Sequence, residues 1–320
     1  MPGRILVIRG GALGDFILTL PAIRLLRENF ADCALEILGY RHIAVLAEGR
    51  YYANAARSIE YGPLAGFFNP KASLDPALCE YFAGFQQIVS YIYDPDALFE
   101  SGLRRAGVKN LISASPKVRE DEHAARQLAR PLEQLALWLE DPAAHIFPSS
   151  QDLAEARTLL STLSRPLVAV HPGSGGKRKN WPLERWQEVQ RKILDDPRVG
   201  HLLIIGGESD SRQLAQMRSI QPAERQTILE NLPLPVLGAV LSQCAWFAGH
   251  DSGISHLAAA AGTRCLLLFG PTDPNVWAPA NESVTVLRAP DGQLSNLESL
   301  TVLARMDELL ADASRNDSRR

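Results

Sequence analysis

Apolar residues in this chain recur in two rhythms. Short unbroken runs such as Ile5-Leu6-Val7-Ile8 and Leu266-Leu267-Leu268-Phe269 have the length and lack of alternation of strands buried on both faces. Between them lie longer stretches with apolar positions at helical spacing, as in Phe16, Leu20, Ile23 and Leu26. In the first half this predicts strands over 4–8, 34–39, 58–61, 87–91 and 110–114, with helices over 15–29, 43–48, 94–105 and 123–139. Residues 62–76 follow no pattern. The second half repeats the grammar, with strands over 167–170, 201–206, 246–249, 266–269 and 283–287. Its helices fall over 153–163, 181–195, 211–217, 235–243 and 297–310.

Strand and helix in alternation is the signature of parallel, doubly wound sheets. A proline-bearing stretch over 142–148 suits a linker between the two series. The expected fold is therefore α/β, with one Rossmann-like domain over 1–150 and a second over 151–295. A helix over 296–313 is placed to return to the first domain, and the polar residues 314–320 read as a disordered tail. Two such domains are expected to face a central cleft, with ligands at the carboxyl ends of strands.

Composition narrows the classes. A net charge of −3 over 320 residues excludes a general polyanion binder, so no nucleic-acid partner is expected and any acidic ligand must meet local cations. The four cysteines stand far apart without CxxC spacing and read as small buried hydrophobes of a reduced compartment. No segment reaches the roughly 18 apolar residues of a spanning helix. The opening residues read as a strand rather than a signal peptide, which points to a cytoplasmic protein. Trp138, Trp186 and Trp246 lie on apolar faces and read as core. No HExxH, paired CxxC or DxD-like motif suggests a metal, and no cofactor is expected.

Three segments carry candidate chemistry. His250-Asp251-Ser252-Gly253-Ile254-Ser255-His256 is a polar turn entering a small-residue helix. Ser252 or Ser255 can cap that helix, leaving its first N–H groups open to a diphosphate, and His256 can add a donor. The plain alternative is an ordinary capped helix with a core histidine. Arg9-Gly10-Gly11-Ala12-Leu13-Gly14-Asp15 follows the first strand, and its glycines let the backbone approach a ligand. Asp15 suits a general base at a helix start, although on spacing alone a simple cap is the commoner reading. The third segment, His171-Pro172-Gly173-Ser174-Gly175-Gly176-Lys177-Arg178-Lys179-Asn180-Trp181-Pro182, gathers three cations on a Gly/Ser loop: a phosphate clamp or a solvated turn. Glu208, after Gly206-Gly207 at a strand end, is placed to meet ribose hydroxyls.

Taken together and in this order, the segments resemble the bacterial heptosyltransferases of glycosyltransferase family 9. The resemblance rests on Gly10 through Phe16 with Thr19-Leu20-Pro21-Ala22-Ile23, on His171 through Ser174 with Lys179 through Pro182, and on Asp251 through Leu257 with Phe269-Gly270-Pro271-Thr272-Asp273-Pro274. It implies the GT-B fold and metal-independent, inverting transfer of heptose from ADP-heptose to a lipid-linked acceptor, the lipopolysaccharide inner core, at the inner membrane surface. By the same resemblance Asp15 is the general base and Lys179 the cation that meets the departing diphosphate. Ser174, Ser252, Gly253, Ile254 and His256 would line the donor pocket, with Asp251 on heptose hydroxyls and Glu208 on the ribose. Gly11, Gly14 and Arg57 fall to the acceptor. Arg41, Arg57, Arg104, Arg105, Lys109, Lys117 and Arg119 are available to an acceptor's phosphates or an anionic membrane, or form a solvated face.

His250 and the pair Lys177-Arg178 depart from the family pattern. Three other readings stay open: the same fold with another nucleotide sugar or acceptor, a nucleotide-sugar-binding module without transfer, and an epimerase. A binding module has no need of a base at Asp15. An epimerase wants paired carboxylates near the sugar, and none stand out.

Overall fold

A computed structural model of the chain describes residues 3–317, with side chains through 309. The chain divides into two compact units, Met1–Ala143 and Ala144–Arg320. The first contains β1 (Arg4–Arg9), α1 (Leu13–Asn29), β2 (Ala34–Gly39), α2 (Arg41–Ala44), β3 (Ala55–Ser58), α3 (Pro76–Ala83), β4 (Gln87–Ser90), α4 (Leu98–Arg105), β5 (Leu111–Ser113) and α5 (Ala124–Ala129). Its five strands are parallel in the order β3-β2-β1-β4-β5. The chain thus winds from β1 outward to β3, then restarts on the other side of β1, leaving a switch point between β1 and β4. Leu6, Ile8 and Ile88 from the sheet pack with Phe67, Phe82, Phe99 and Leu103.

Several expectations are corrected here. The long helix over 123–139 stops at Ala129 because Pro131 cannot donate to an α-helical ladder. The chain tightens into a 3-10 turn over Arg130–Leu135 and reverses at Ala136, whose φ is +57°. Trp138 is thereby thrown outward, 63% exposed, instead of joining the core, whereas Trp186 and Trp246 are fully buried. The strand expected over 58–61 forms at Ala55–Ser58, and the helix over 43–48 shrinks to α2. The patternless 62–76 stretch begins as a 3-10 turn over Gly62–Phe68 that packs so closely that a Cβ on Gly102 would meet Phe67 O at 2.3 Å. It leads into α3, whose cap Asp75 accepts the Leu78 N–H at 2.9 Å.

The second unit contains α6 (Ser150–Leu160), β6 (Leu167–His171), α7 (Leu183–Asp195), β7 (His201–Gly206), α8 (Ser211–Arg218), β8 (Gln226–Glu230), α9 (Leu234–Leu241), β9 (Trp246–His250), α10 (Gly253–Ala260), β10 (Cys265–Phe269), α11 (Pro274–Trp277), β11 (Val284–Arg288) and α12 (Ser299–Asp317). Six parallel strands run β11-β10-β9-β6-β7-β8, with the switch point between β6 and β9. The central strands β6, β7, β9 and β10 are buried throughout, as strands covered on both faces must be. Strand β8 was not legible in the sequence; it is a half-exposed edge without a continuous apolar run. Val302 and Met306 of α12 enter this unit's core beside Trp186 and Ile193, so that part of the helix is built into the second unit. The helix continues through residues 314–317, where composition had suggested a tail; 318–320 lie outside the described residues.

Cys244 and Cys265 are buried, and burial pushes the Cys244 thiol up to about 12; Cys33 and Cys79 are only half-buried. Among the described residues no helix is long and apolar enough to cross a membrane.

Candidate functional site

At the switch point of the first sheet, the turn after β1 is organised by a buried cation. Arg9, 3% exposed, donates from Nε to Thr19 Oγ1 at 2.9 Å and from Nη2 to Asp15 O at 3.2 Å. Thr19 Oγ1 also donates to Asp15 O, at 2.7 Å. Burial draws the Arg9 pKa down from its ordinary value, with the Asp15 charge opposing. Ala12, the N-cap of α1, has no side-chain oxygen to offer, so capping comes from the other direction. Asp15, three residues in, accepts the Ala12 N–H on Oδ2 at 2.9 Å. Its Oδ1 stands 3.7 Å from Arg9 Nη2, and its side chain is 38% exposed. The candidate base is therefore also the cap of α1: one oxygen is tied to the backbone and the group as a whole stays open to solvent. Gly11 (φ +99°) makes the turn possible, and a Cβ there would lie 2.9 Å from Asp15 Oδ2. Gly14 sits in the first turn of α1 beside it.

At the switch point of the second sheet, the loops after β6, β9 and β10 converge. Lys179 Nζ donates to Asp251 Oδ2 at 2.6 Å, and Thr272 Oγ1 donates to the same oxygen at 2.7 Å. Asp251 is buried, while Lys179 keeps about a third of its side chain exposed. Ser252 is the N-cap of α10: its Oγ accepts the Ser255 N–H at 3.3 Å and lies 3.2 Å from Ser255 Oγ. Gly253 and Ile254 begin the helix, where backbone N–H groups have no carbonyl of their own helix to bond. Lys179 and the start of α10 thus meet at one strand edge, a cation and a helix dipole together.

Two buried histidines hold that edge, and neither role was foreseen. His250 is fully buried; its Nδ1 contacts Gly173 O at 3.2 Å, while Nε2 accepts the Trp181 N–H at 2.8 Å and the Trp186 Nε1–H at 3.1 Å. Two donors onto Nε2 require a neutral ring carrying its proton on Nδ1. Burial drives the His250 pKa down to about 3, in agreement. His171, the last residue of β6, has Nε2 at 3.3 Å from Asp210 Oδ2 and Nδ1 at 3.4 Å from Ser252 Oγ. Burial pushes the Asp210 carboxyl up, but the His171 contact and the Gly207 N–H, which it accepts at 2.9 Å, hold it below its ordinary value. The signal that could have found both histidines is the strand order: His171 and His250 end the two strands flanking the switch point.

The remaining candidates scatter more widely. Ser174 Oγ turns into its own loop, donating to Gly176 O at 3.0 Å. Glu208 is exposed just past the end of β7, and His256 is buried in the first turn of α10. In the first unit Arg57 lies over the Tyr81 ring at 4.2 Å, 4.0 Å from Glu36 Oε2, and lines a concavity of about 420 Å³ with Arg41. Its basic companions are engaged locally: Arg41 pairs with Glu48, Arg105 with the Asn69 and Ala72 carbonyls, Arg119 with Asp121 and Lys117 with Tyr93. Among the described residues no three His, Cys, Asp or Glu side chains converge as a metal site would require.

Comparison with known proteins follows the same lines. Residues 111–306 match glycosyltransferase family 9 (heptosyltransferase). Lipopolysaccharide heptosyltransferase 3 of Escherichia coli is 22% identical over 95% of this chain and 98% of its own length. Lipopolysaccharide heptosyltransferase 2 of Salmonella typhimurium is 26% identical over 53% of this chain, 47% of its own length. Among solved structures, a family 9 glycosyl transferase from Veillonella parvula superposes with a TM-score of 0.79 at 19% identity, covering 97% of each chain. E. coli ADP-heptose LPS heptosyltransferase II gives 0.77 at 17% identity, covering 97% of this chain and 99% of that one. E. coli heptosyltransferase WaaC with ADP gives 0.70 at 16%, covering 96% and 99%. The fold class is α/β, of the GT-B type.

Proposed function

The chain belongs to glycosyltransferase family 9, and from that premise we propose that it moves a heptose from ADP-heptose onto a lipopolysaccharide inner-core acceptor, with inversion at the anomeric carbon. The second unit would hold the donor. Its diphosphate would lie against the start of α10, taking the Gly253 and Ile254 N–H groups and the Ser252 hydroxyl, with Lys179 beside it. Asp251 would meet heptose hydroxyls while holding Lys179 in place, Glu208 would meet the ribose, and His256 and Ser174 would complete the pocket, Ser174 after turning out of its loop. Gly11, Gly14 and Arg57 would face the acceptor in the first unit, and the acceptor's lipid would bring the protein to the inner face of the membrane.

The chemistry asks little more. The acceptor oxygen attacks the anomeric carbon and gives its proton to Asp15. The bond from that carbon to the phosphate oxygen breaks, and ADP leaves with the electron pair. Charge grows on the diphosphate, and donors already fixed around it stabilise that charge without reorganising. Lys179, shared with Asp251 before the reaction, can shift its bond toward the phosphate as that charge appears.

The observation that carries the reading is the meeting of the Lys179–Asp251–Thr272 cluster with the Ser252-capped start of α10 at the second sheet's switch point. A thermal-shift series with ADP, UDP and GDP tests the donor, because a ligand bound by the native state raises its stability. ADP is expected to give the largest shift, and ADP-heptose to release ADP only when acceptor is present. A larger shift with UDP or GDP would replace the donor; ADP binding without any transfer would leave a binding module.

A further inference from the structure

Behind the Ser252 hydroxyl runs a chain of buried polar contacts that the donor reading leaves without a task. His171 ends β6, and its buried ring lies between a carboxylate and that hydroxyl. Nε2 stands 3.3 Å from Asp210 Oδ2, and Nδ1 stands 3.4 Å from Ser252 Oγ. Asp210 is itself buried, and the same oxygen accepts the Gly207 N–H at 2.9 Å. Burial pushes its carboxyl up, but those two contacts hold it below the ordinary range, so it stays ionised and can only accept. The proton it faces is therefore on Nε2 of His171. A neutral ring then has a bare Nδ1, an acceptor directed at Ser252.

Ser252 Oγ already accepts the Ser255 N–H at 3.3 Å, while Ser255 Oγ, 3.2 Å away, donates its own proton to His250 O. Among the described residues the Ser252 proton is thus left for Ser255 Oγ or His171 Nδ1, or else for a ligand. A bare Nδ1 draws it inward. A proton on Nδ1 reverses the direction: His171 donates to Ser252 Oγ, and the hydroxyl is released to donate outward.

We propose that His171 is a positioning residue for the transfer: it takes one proton from solvent when the nucleotide's diphosphate binds, holds it on Nδ1 between Asp210 and Ser252, and so turns the Ser252 hydroxyl onto a phosphate oxygen. The inference rests on the donor reading above and deepens it. The proton returns to solvent when ADP leaves, and the ionised Asp210 offsets the charge that the ring carries meanwhile. Other titratable groups nearby have different tasks. His250, at the end of the neighbouring β9, is held neutral by burial and by the two donors on its Nε2. Asp251, between His250 and Ser252 in the chain, is paired with Lys179, and Glu208 in the turn before Asp210 is exposed.

Calorimetric titration of the full-length protein with ADP, in buffers of different ionisation enthalpy between about pH 6 and about pH 9, counts the protons taken up. The terminal phosphate of ADP titrates in this range too, so each variant is compared with wild type under the same conditions. Asp210→Asn keeps the size of the side chain and removes the charge that steadies a second proton on the ring. Wild type is expected to take up more protons than Asp210→Asn, His171→Asn or Ser252→Ala. Its ADP Kd should rise about tenfold more than theirs across the range, the usual worth of one charge-assisted contact. In the Ser252→Ala background, His171→Asn should change the ADP Kd by less than about twofold. A merely structural His171 would move stability and leave the proton count alone. An equal proton count in wild type and the variants, or a His171→Asn loss that persists in full beside Ser252→Ala, would overturn the proposal. If His171→Asn or Asp210→Asn does not fold, the Ser252→Ala proton count decides. Wild-type protein that fails to bind ADP at any pH would overturn the donor reading, whereas ADP binding without the excess proton uptake would overturn this inference alone.

Discussion

Asp15 caps α1 and is also the proposed base, two readings that are usually weighed against each other. Its Oδ2 accepts the Ala12 N–H and so closes the start of α1, while the group stays open enough to take a proton. Asp15→Asn keeps an oxygen for Ala12 and removes only the basicity. We expect kcat to fall by about 10²–10⁴-fold, the usual worth of a positioned base, with the ADP Kd changed less than twofold. A variant with wild-type turnover would take Asp15 out of that role. His250 gives a prediction of another kind. Its folded pKa of about 3 lies below the ordinary histidine value of about 6.5, so its stabilising contribution is complete above pH 6.5 and is lost as pH falls toward 3. At pH 5 the loss is about 2 kcal/mol. Urea midpoints at pH 7.5 and pH 5 should therefore drop more in the wild type than in His250→Asn, which is less stable at both. Equal drops would mean that the ring is not held neutral. The sequence marked His250 as a departure from the family without showing what it does, because its partners Gly173, Trp181 and Trp186 come from another loop and helix.

At the scale of elements, the turn after β6 is as much a packing problem as a binding loop. A Cβ on Gly173 would sit 1.9 Å from Asp210 Oδ1, the carboxylate that holds His171. Gly173→Ala should cost about 1–3 kcal/mol from overpacking and weaken ADP binding as His171 and Ser252 lose alignment. Denaturant midpoints and an ADP titration would check both effects, and an ADP affinity equal to wild type would separate the His171–Asp210 contact from the proposed diphosphate site at the start of α10. Strands with continuous apolar runs were legible from sequence at this scale, whereas α4 starts at Leu98 rather than at residue 94. Helix ends were less so: Pro131 ends α5 inside a stretch whose apolar period runs on, and Trp138 is exposed as a result. Strand β8 escaped notice because an edge strand needs no unbroken apolar run.

For the whole molecule, each unit has its own parallel sheet and its own buried apolar cluster. If the donor belongs to the second unit, ADP should slow hydrogen exchange chiefly in the loops after β6, β9 and β10. At a free concentration a hundred times Kd, the protection should approach about 2.7 kcal/mol. Protection confined to residues of the first unit would relocate the nucleotide. Sequence by itself determined the alternation of strands and helices, the division into two wound sheets and the three turns that carry the candidate residues. These are local properties, set by apolar period, glycine and capping residues within a few positions. The tertiary structure alone decided that Lys179 and Thr272 both bond Asp251 and that His171 joins Asp210 to Ser252. Those partners stand tens of residues apart along the chain. They meet only because the sheet's winding order brings the carboxyl ends of β6, β9 and β10 side by side.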